Sequence, residues 1–300
     1  MEKVNIDTHV IARVNPVQPS LIKLPGLKWL LLAIPLLYVV FLLYISIFNV
    51  LKLSIVDETG FTLEYMKEVL TGTLYLRVLW ITIKISFLVT IFSLLIGYPV
   101  AYLITVTQSK VWKQVILGTV LTTLWISLLA RTFSWQIILQ EYGALNKLLI
   151  GLGMIDEPLQ LLYNTAGVVI GMTHILLPYM ILSLYSVMES IDRRLLQAAQ
   201  GLGAKPLKAF FQIFLPLSLP GITAGSLIVF VLGLGYFITP AILGGQSNIV
   251  IAKLIQENIQ MSLNWHLASA LSLLLLVTTL LLLGLAFGVT KLSPMLKGVK

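Results

Sequence analysis

Residues 190–220 read SIDRRLLQAAQGLGAKPLKAFFQIFLPLSLP, a charged, helix-forming interruption in a chain that is otherwise hydrophobic. The pattern predicts two short helices joined by a bend. Asp192 is placed to cap the first, Arg193 to Leu202 run without a breaker, and Gly203 can close the turn in the left-handed region. Pro206 can open the second helix, where its missing N–H leaves nothing unpaired, and Pro216 is expected to end it. Leu195, Ala198, Ala199 and Leu202 fall on one stripe and Arg193, Gln197 and Gln200 on another; in the second helix Leu207, Phe210, Phe211 and Phe214 form the apolar stripe. Each helix therefore has an apolar and a polar side, which by itself describes any helix lying passively on a membrane surface.

The surrounding composition limits what this segment can be. With 58% hydrophobic and 11% charged residues, and a mean hydropathy of +0.97, the 300-residue chain belongs to the membrane class, all-α and polytopic. Apolar stretches place six transmembrane helices at about Trp29–Leu51, Leu76–Val106 through Pro99, Val115–Leu139, Val168–Met188, Leu217–Leu243 and Leu267–Val289. The chain divides into a tail over residues 1–28, a membrane domain over 29–290 that includes the 190–216 loop, and a second tail over 291–300. Lys3, Arg13, Lys23 and Lys28, with Pro16, Pro19 and Pro25 and no early apolar core, read as a cytoplasmic tail rather than a cleavable leader.

Charge sets the orientation. Under this layout thirteen Lys and Arg lie on the side of the two tails, the Lys110/Lys113 loop and the 190–216 loop, against five on the other side: Lys52, Lys67, Arg77, Lys147 and Lys253. The positive-inside rule then puts both termini and the 190–216 loop in the cytoplasm. The net charge of +8 is thus a topology signal and not a nucleic-acid patch; the partner it implies is membrane lipid. The opposite face is acidic, with Asp57, Glu58, Glu64, Glu68, Glu141, Asp156, Glu157 and Glu257, as a solvated rim left by the same asymmetry would be. There, Asp57–Leu70 and an amphipathic Glu141–Leu152 read as ordered.

Nothing in the chain has the pattern of a catalyst. His9, His174 and His266 are isolated, so no metal-ligand spacing exists, and the absence of cysteine excludes thiolate ligands and disulfides. The GLG triplets at Gly151, Gly201 and Gly233 do not extend to a dinucleotide fingerprint, and no GxxxxGK[ST] phosphate loop is present. A transport role therefore needs energy from elsewhere. A self-contained secondary transporter or channel is the rival class, but such proteins usually hold intramembrane acids, and these spans contain no Asp or Glu.

The loop spacing then acquires meaning. Ala198-Ala199, three residues, Gly203, nine residues, and Ile213-Phe214-Leu215-Pro216 resemble the EAA loop of ABC-importer permeases, with Gln197 where that pattern has Glu. The resemblance implies a type I ABC importer permease fold. It also implies a cytoplasmic coupling helix whose Leu195, Gln197, Ala198, Ala199, Gly203 and Ala204 dock on a separate ATPase. The neutral Gln197 can hydrogen-bond but cannot form the ion pair that a Glu could.

Three further stretches narrow the resemblance: Leu128 to Trp135 (LLARTFSW); Leu145 to Leu149 with Gly153 to Pro158, Leu162 to Asn164 and Leu177 to Met180; and Phe237 to Gly245 (FITPAILGG). Together they look like the first permease of spermidine/putrescine-type importers. That likeness implies a second, similar permease, a pair of ATPase subunits that bind ATP and Mg, and an extracytoplasmic substrate-binding protein, all at a bacterial inner membrane. This chain itself is expected to hold no cofactor.

Within the membrane two features invite a functional reading. Lys84 and Arg131 are cations inside spans; each costs about 2.5–3.5 kcal/mol at the bilayer centre on insertion scales, and Arg131 is expected to bond to carbonyls or to a carboxylate such as Glu141. The fifth span carries Gly221, Gly225, Gly233, Gly235 and Pro240. The first two glycines offer a face for close helix packing, whereas Gly233–Pro240 loosens the backbone and makes Tyr236, Phe237 and Thr239 candidates to line a passage, with Arg131 and Pro240 as structural or gating residues. Aromatic faces suit a passing ammonium group.

Overall fold

The computed structural model describes residues 25–57 and 60–292. The tail cations Lys3, Arg13 and Lys23, and Glu58, lie outside the described residues. The chain divides into two units, Met1–Phe48 and Asn49–Lys300. In the first, helix α1 (Pro25–Ile55) begins four residues before the expected Trp29, on a proline whose fixed φ suits a helix start.

The second unit continues α1 to Ile55 and then turns through a minimal antiparallel ladder, β1 (Val56–Asp57) and β2 (Gly60–Phe61). Helices α2 (Glu64–Thr71) and α3 (Thr73–Val106) follow. The third span departs from its expected course. The apolar run breaks into α4 (Lys110–Trp125) and α5 (Leu128–Leu139), and the segment Leu128–Gly151 that α5 opens is bent by 100° from α4. No glycine or proline marks the break. Thr122 and Thr123 hydroxyls bond the Gly118 and Val120 carbonyls in the last turn of α4, and Ile126 and Ser127 adopt extended backbone, so side-chain competition with the helix takes the place of a sequence breaker. Among the described residues, five helices are long and apolar enough to cross a membrane, or six if this bent pair is one span.

Beyond it lie α6 (Ala144–Gly151), within the predicted surface helix, and α7 (Thr165–Met188). Helices α8 (Arg193–Gly201) and α9 (Pro206–Ala209) are the two predicted in the loop. Pro216 does not end the second. A π-helical turn, Phe210–Phe214, carries α9 directly into α10 (Leu215–Gly235), because the wide turn, closed by the Leu215 N–H on the Phe210 carbonyl, makes room for a residue that cannot donate. The same turn splits the predicted phenylalanine stripe: Phe214 is buried, whereas Leu207 and Phe211 face outward. The fifth span also stops early. Its helix ends at Gly235, and α11 (Ile238–Leu243) starts after Tyr236 and Phe237. Helices α12 (Ile251–Gln260) and α13 (Trp265–Leu292) complete the chain.

The core is the mutual packing of α3, α7 and α10. Val89 and Ile104, Met172, Leu176, Met180 and Leu184, and Val229 form its apolar interior. Close approach rests on small residues. On α3, Thr82, Ser86 and Thr90 recur every four residues on a buried face and each donates to the carbonyl one turn back, so these three hydroxyls are paired. Against that face lies Gly233, where an added Cβ would stand only 3.2 Å from Ser86 Cβ. Gly221 and Gly225 meet α7 as the sequence predicts, at Val187 and at Met180 and Ser183. A second apolar cluster joins Val69, Val78, Ile251 and Leu271 from α2, α3, α12 and α13.

Candidate functional site

Helix α8 is held at both ends by its own sequence. Asp192 Oδ1 accepts from the Arg194 N–H at 2.9 Å, and at the other end the Ala204 and Gly203 N–H groups return to the Ala199 and Gln200 carbonyls. Gly203 has φ +88°, the left-handed conformation that this closure needs and that a side chain would strain. Nothing on α8 is buried. Leu196 and Ile191 lean on the core, while Leu195 and Leu202 are 47% and 91% exposed. Gln197, Ala198 and Gly203 are exposed, and Ala199 and Ala204 half-buried. With Leu207 and Phe211, 71% and 56% exposed, these residues give the loop an apolar outer surface.

The loop's attachment to the bundle was not foreseen. Arg193 donates to the Thr105 carbonyl, at the last turn of α3 where carbonyls lack intrahelical partners. Phe210 and Phe214 set their rings edge-on to Tyr102 at 5.3 and 5.1 Å, Phe210 also meets Tyr98 at 6.1 Å, and the Tyr98 hydroxyl lies 2.9 Å from Ser218 Oγ. One signal was available in the sequence. Two arginines in the first turn of a helix oppose its dipole, so Arg193 had to serve something other than the helix it starts.

At the opposite side of the membrane domain the loosened stretch is a true break. Tyr236 is half-buried, Phe237 is 37% exposed, and Phe237 lines a 380 Å³ recess with Gly235, Ile255, Gln256 and Ile259. Thr239 does not reach that surface: it is fully buried, its Oγ1 3.3 Å from Thr132 Oγ1, pinning α11 to α5. Pro240 is buried, and its carbonyl accepts the Gly244 N–H that closes α11.

Arg131, one helical turn into α5, differs from its expected role. Its Nε and one terminal nitrogen are buried without a hydrogen-bond partner, and no bond to Glu141 forms. His174 packs its ring edge against Trp135 at 5.5 Å. Lys84 is exposed on the flank of α3.

A second unforeseen element orders the segment between α5 and α7. Asn146, 1% exposed, donates to the Gln140, Glu141 and Leu159 carbonyls and accepts from the Leu159 N–H, stapling residues 140–159 around one amide. A lone Asn in an amphipathic helix carries no sequence signal of this.

The sequence profile of the family described as "Binding-protein-dependent transport system inner membrane component" matches residues 24–292. The chain is 37% identical over 223 residues to the spermidine/putrescine transport system permease protein PotB of Haemophilus influenzae, covering 74% of this chain and 78% of that protein. It is 26% identical over 267 residues to the putative 2-aminoethylphosphonate transport system permease protein PhnU of Salmonella typhimurium, covering 88% and 92%. Among solved structures, a bacterial ABC transporter involved in the import of the acidic polysaccharide alginate superposes with a TM-score of 0.70 at 17% identity, over 88% of this chain and 96% of that one. The MetNI methionine ABC transporter in an inward-facing conformation gives a TM-score of 0.56 at 18% identity, over 71% and 93%. At these identities the likeness establishes the fold.

Proposed function

Because the chain belongs to the family of binding-protein-dependent transport system inner membrane components, we propose that it is one permease of an ATP-driven importer of polyamines such as spermidine and putrescine, or of a related amino compound. The observation that carries this reading is the exposed apolar face of α8, with Leu195 and Leu202 outward on a helix fixed at both ends. A separate ATPase, with its own ATP and Mg, docks there through Leu195, Gln197, Ala198, Ala199, Gly203 and Ala204. A second permease completes the membrane unit, and an extracytoplasmic binding protein delivers the solute to the other side. Both termini face the cytoplasm, as the basic residues on that side require.

The solute passes Tyr236 and Phe237 at the break after α10. Aromatic faces hold an ammonium group by about 0.5–1 kcal/mol each at exposed sites, weak enough for release. Selectivity then resides in the binding protein, and the permease supplies a gate. The half-buried Arg131, with two guanidinium nitrogens that lack a partner, fits this division, since a cation held there is unsuited to form a deep polycation pocket.

Co-purification with an ATPase subunit, a second permease and a binding protein, followed by ATP-dependent uptake of labelled spermidine into proteoliposomes, tests the proposal. Solitary behaviour with uptake driven by an ion gradient would overturn it.

A further inference from the structure

The coupling segment is attached at its start and at its end to one short stretch of one helix. At the start, the Arg193 guanidinium caps the Thr105 carbonyl; at the end, Phe210 and Phe214 clasp Tyr102, and Ser218 meets the Tyr98 hydroxyl. All four contacts fall on Tyr98–Thr105, the portion of α3 that flanks and follows Pro99. Proline inside a helix removes one backbone bond and is the position at which such a helix bends. Between the two attachments, α8 buries no residue and touches the core through Leu196.

We infer that the last two turns of α3 are the element that α8 moves, that α8 and this end of α3 travel as one body hinged at Pro99, and that Arg193 and Tyr102 are the positioning residues that join them. The outputs joined to the loop in the chain are α10, into which α9 runs directly through the π-helical turn, and α7, which precedes the loop. The latter is linked more loosely. Ser190, Ile191 and Asp192 connect it to α8 through a turn, and the Glu189 carboxylate at its end is engaged by Lys113 of α4. At α7, direct chain connection therefore gives way to the side-chain grip. The π-helical turn has a role in this grip, because it brings Phe210 and Phe214 onto the same side and stacks them at 5.8 Å, both against Tyr102.

This inference rests on the importer reading, and its test uses the complete assembly of both permeases, ATPase and binding protein in proteoliposomes. Solute imported per ATP hydrolysed is measured for Arg193→Met and Tyr102→Leu beside their conservative counterparts Arg193→Lys and Tyr102→Phe. The expected result is that the first pair retains assembly and binding-protein-stimulated hydrolysis but loses about two- to thirtyfold in import per ATP, the range that a coupling contact commands. The conservative pair should restore the ratio, since a donor for the carbonyl and a ring for the clasp remain. An unchanged ratio, or hydrolysis and import falling in parallel, would overturn it. The chain has no native cysteine, which permits a second measurement. Cysteines at the exposed Gln108 and Arg194, joined by a flexible bismaleimide, should leave transport intact if the two elements move together. Arrest by this cross-link would sink the inference even if the substitutions behave as expected. A wild-type assembly that hydrolyses no ATP in response to the binding protein would instead overturn the importer reading beneath it.

Discussion

Lys113 Nζ lies 2.5 Å from Glu189 Oε1, joining the first turn of α4 to the residue that ends α7, with the same ammonium 5.3 Å from the centre of the Tyr185 ring. The pair closes the bundle at the end that carries α8. Both side chains are partly exposed, at 24% and 43%, so screening keeps its contribution below about 1 kcal/mol. Lys113→Ala should therefore lower thermal stability only slightly, and the exchange Lys113→Glu with Glu189→Lys should recover that loss. A large loss in a melting experiment would mean that the pair has a role beyond this surface contact.

Docking of the ATPase on α8 makes a sharper prediction. Gly203→Pro disrupts the left-handed closure, and Ala199→Arg sets a charge on the docking helix; each should abolish transport and ATPase co-purification while membrane insertion continues. Transport that survives both changes would remove α8 from the coupling surface.

Orientation can be read with thiol reagents, because the protein has no cysteine of its own. Lys205→Cys should be labelled by an impermeant maleimide only from the cytoplasm, and Glu141→Cys only from outside; both positions are exposed. The reverse pattern would invert the layout.

At the break after α10, Tyr236→Ala and Phe237→Ala should change transport rate or basal ATP hydrolysis and leave the order of preference among spermidine, putrescine and an anionic amino solute unchanged. Competition uptake checks this. A new order of preference would place selectivity in the membrane route.

The segment between α5 and α7 should be sensitive out of proportion to its composition. Asn146→Ala removes all four bonds of this staple and takes from the Glu141 carbonyl and the Leu159 N–H their Asn146 partner, at about 1–3 kcal/mol for a group left unsatisfied. Gly143→Ala would drive a Cβ to 2.4 Å from the Ile138 carbonyl oxygen, whereas Gly118→Ala meets nothing within 4 Å. Protease cutting between residues 140 and 160 should rise for the first two variants and not for the third.

Much of this was legible in the sequence, for identifiable reasons. Apolar runs must become helices in a bilayer because their backbone groups have no other partners, so the long spans could be placed from composition. Asp192, Gly203 and Pro206 act within a few residues of themselves, so the two loop helices were legible as well. The asymmetry of Lys and Arg set an expected orientation, and the spacing from Ala198 to Pro216 carried the family resemblance.

What only tertiary structure decided involves partners distant in the chain or conformations that no residue type announces. The 100° bend after α4 has no proline or glycine to mark it. Pro216 reads as a helix end until the preceding turn widens to hold it. Thr239 reads as a passage residue until Thr132, over a hundred positions away, buries it. The union of Arg193 with Thr105, and of Phe210 with Tyr102, follows from how α3, α7 and α10 pack, since contacts of that separation depend on the path of the whole chain. Local preference set the helices and the loop; long-range packing chose which helix the loop holds.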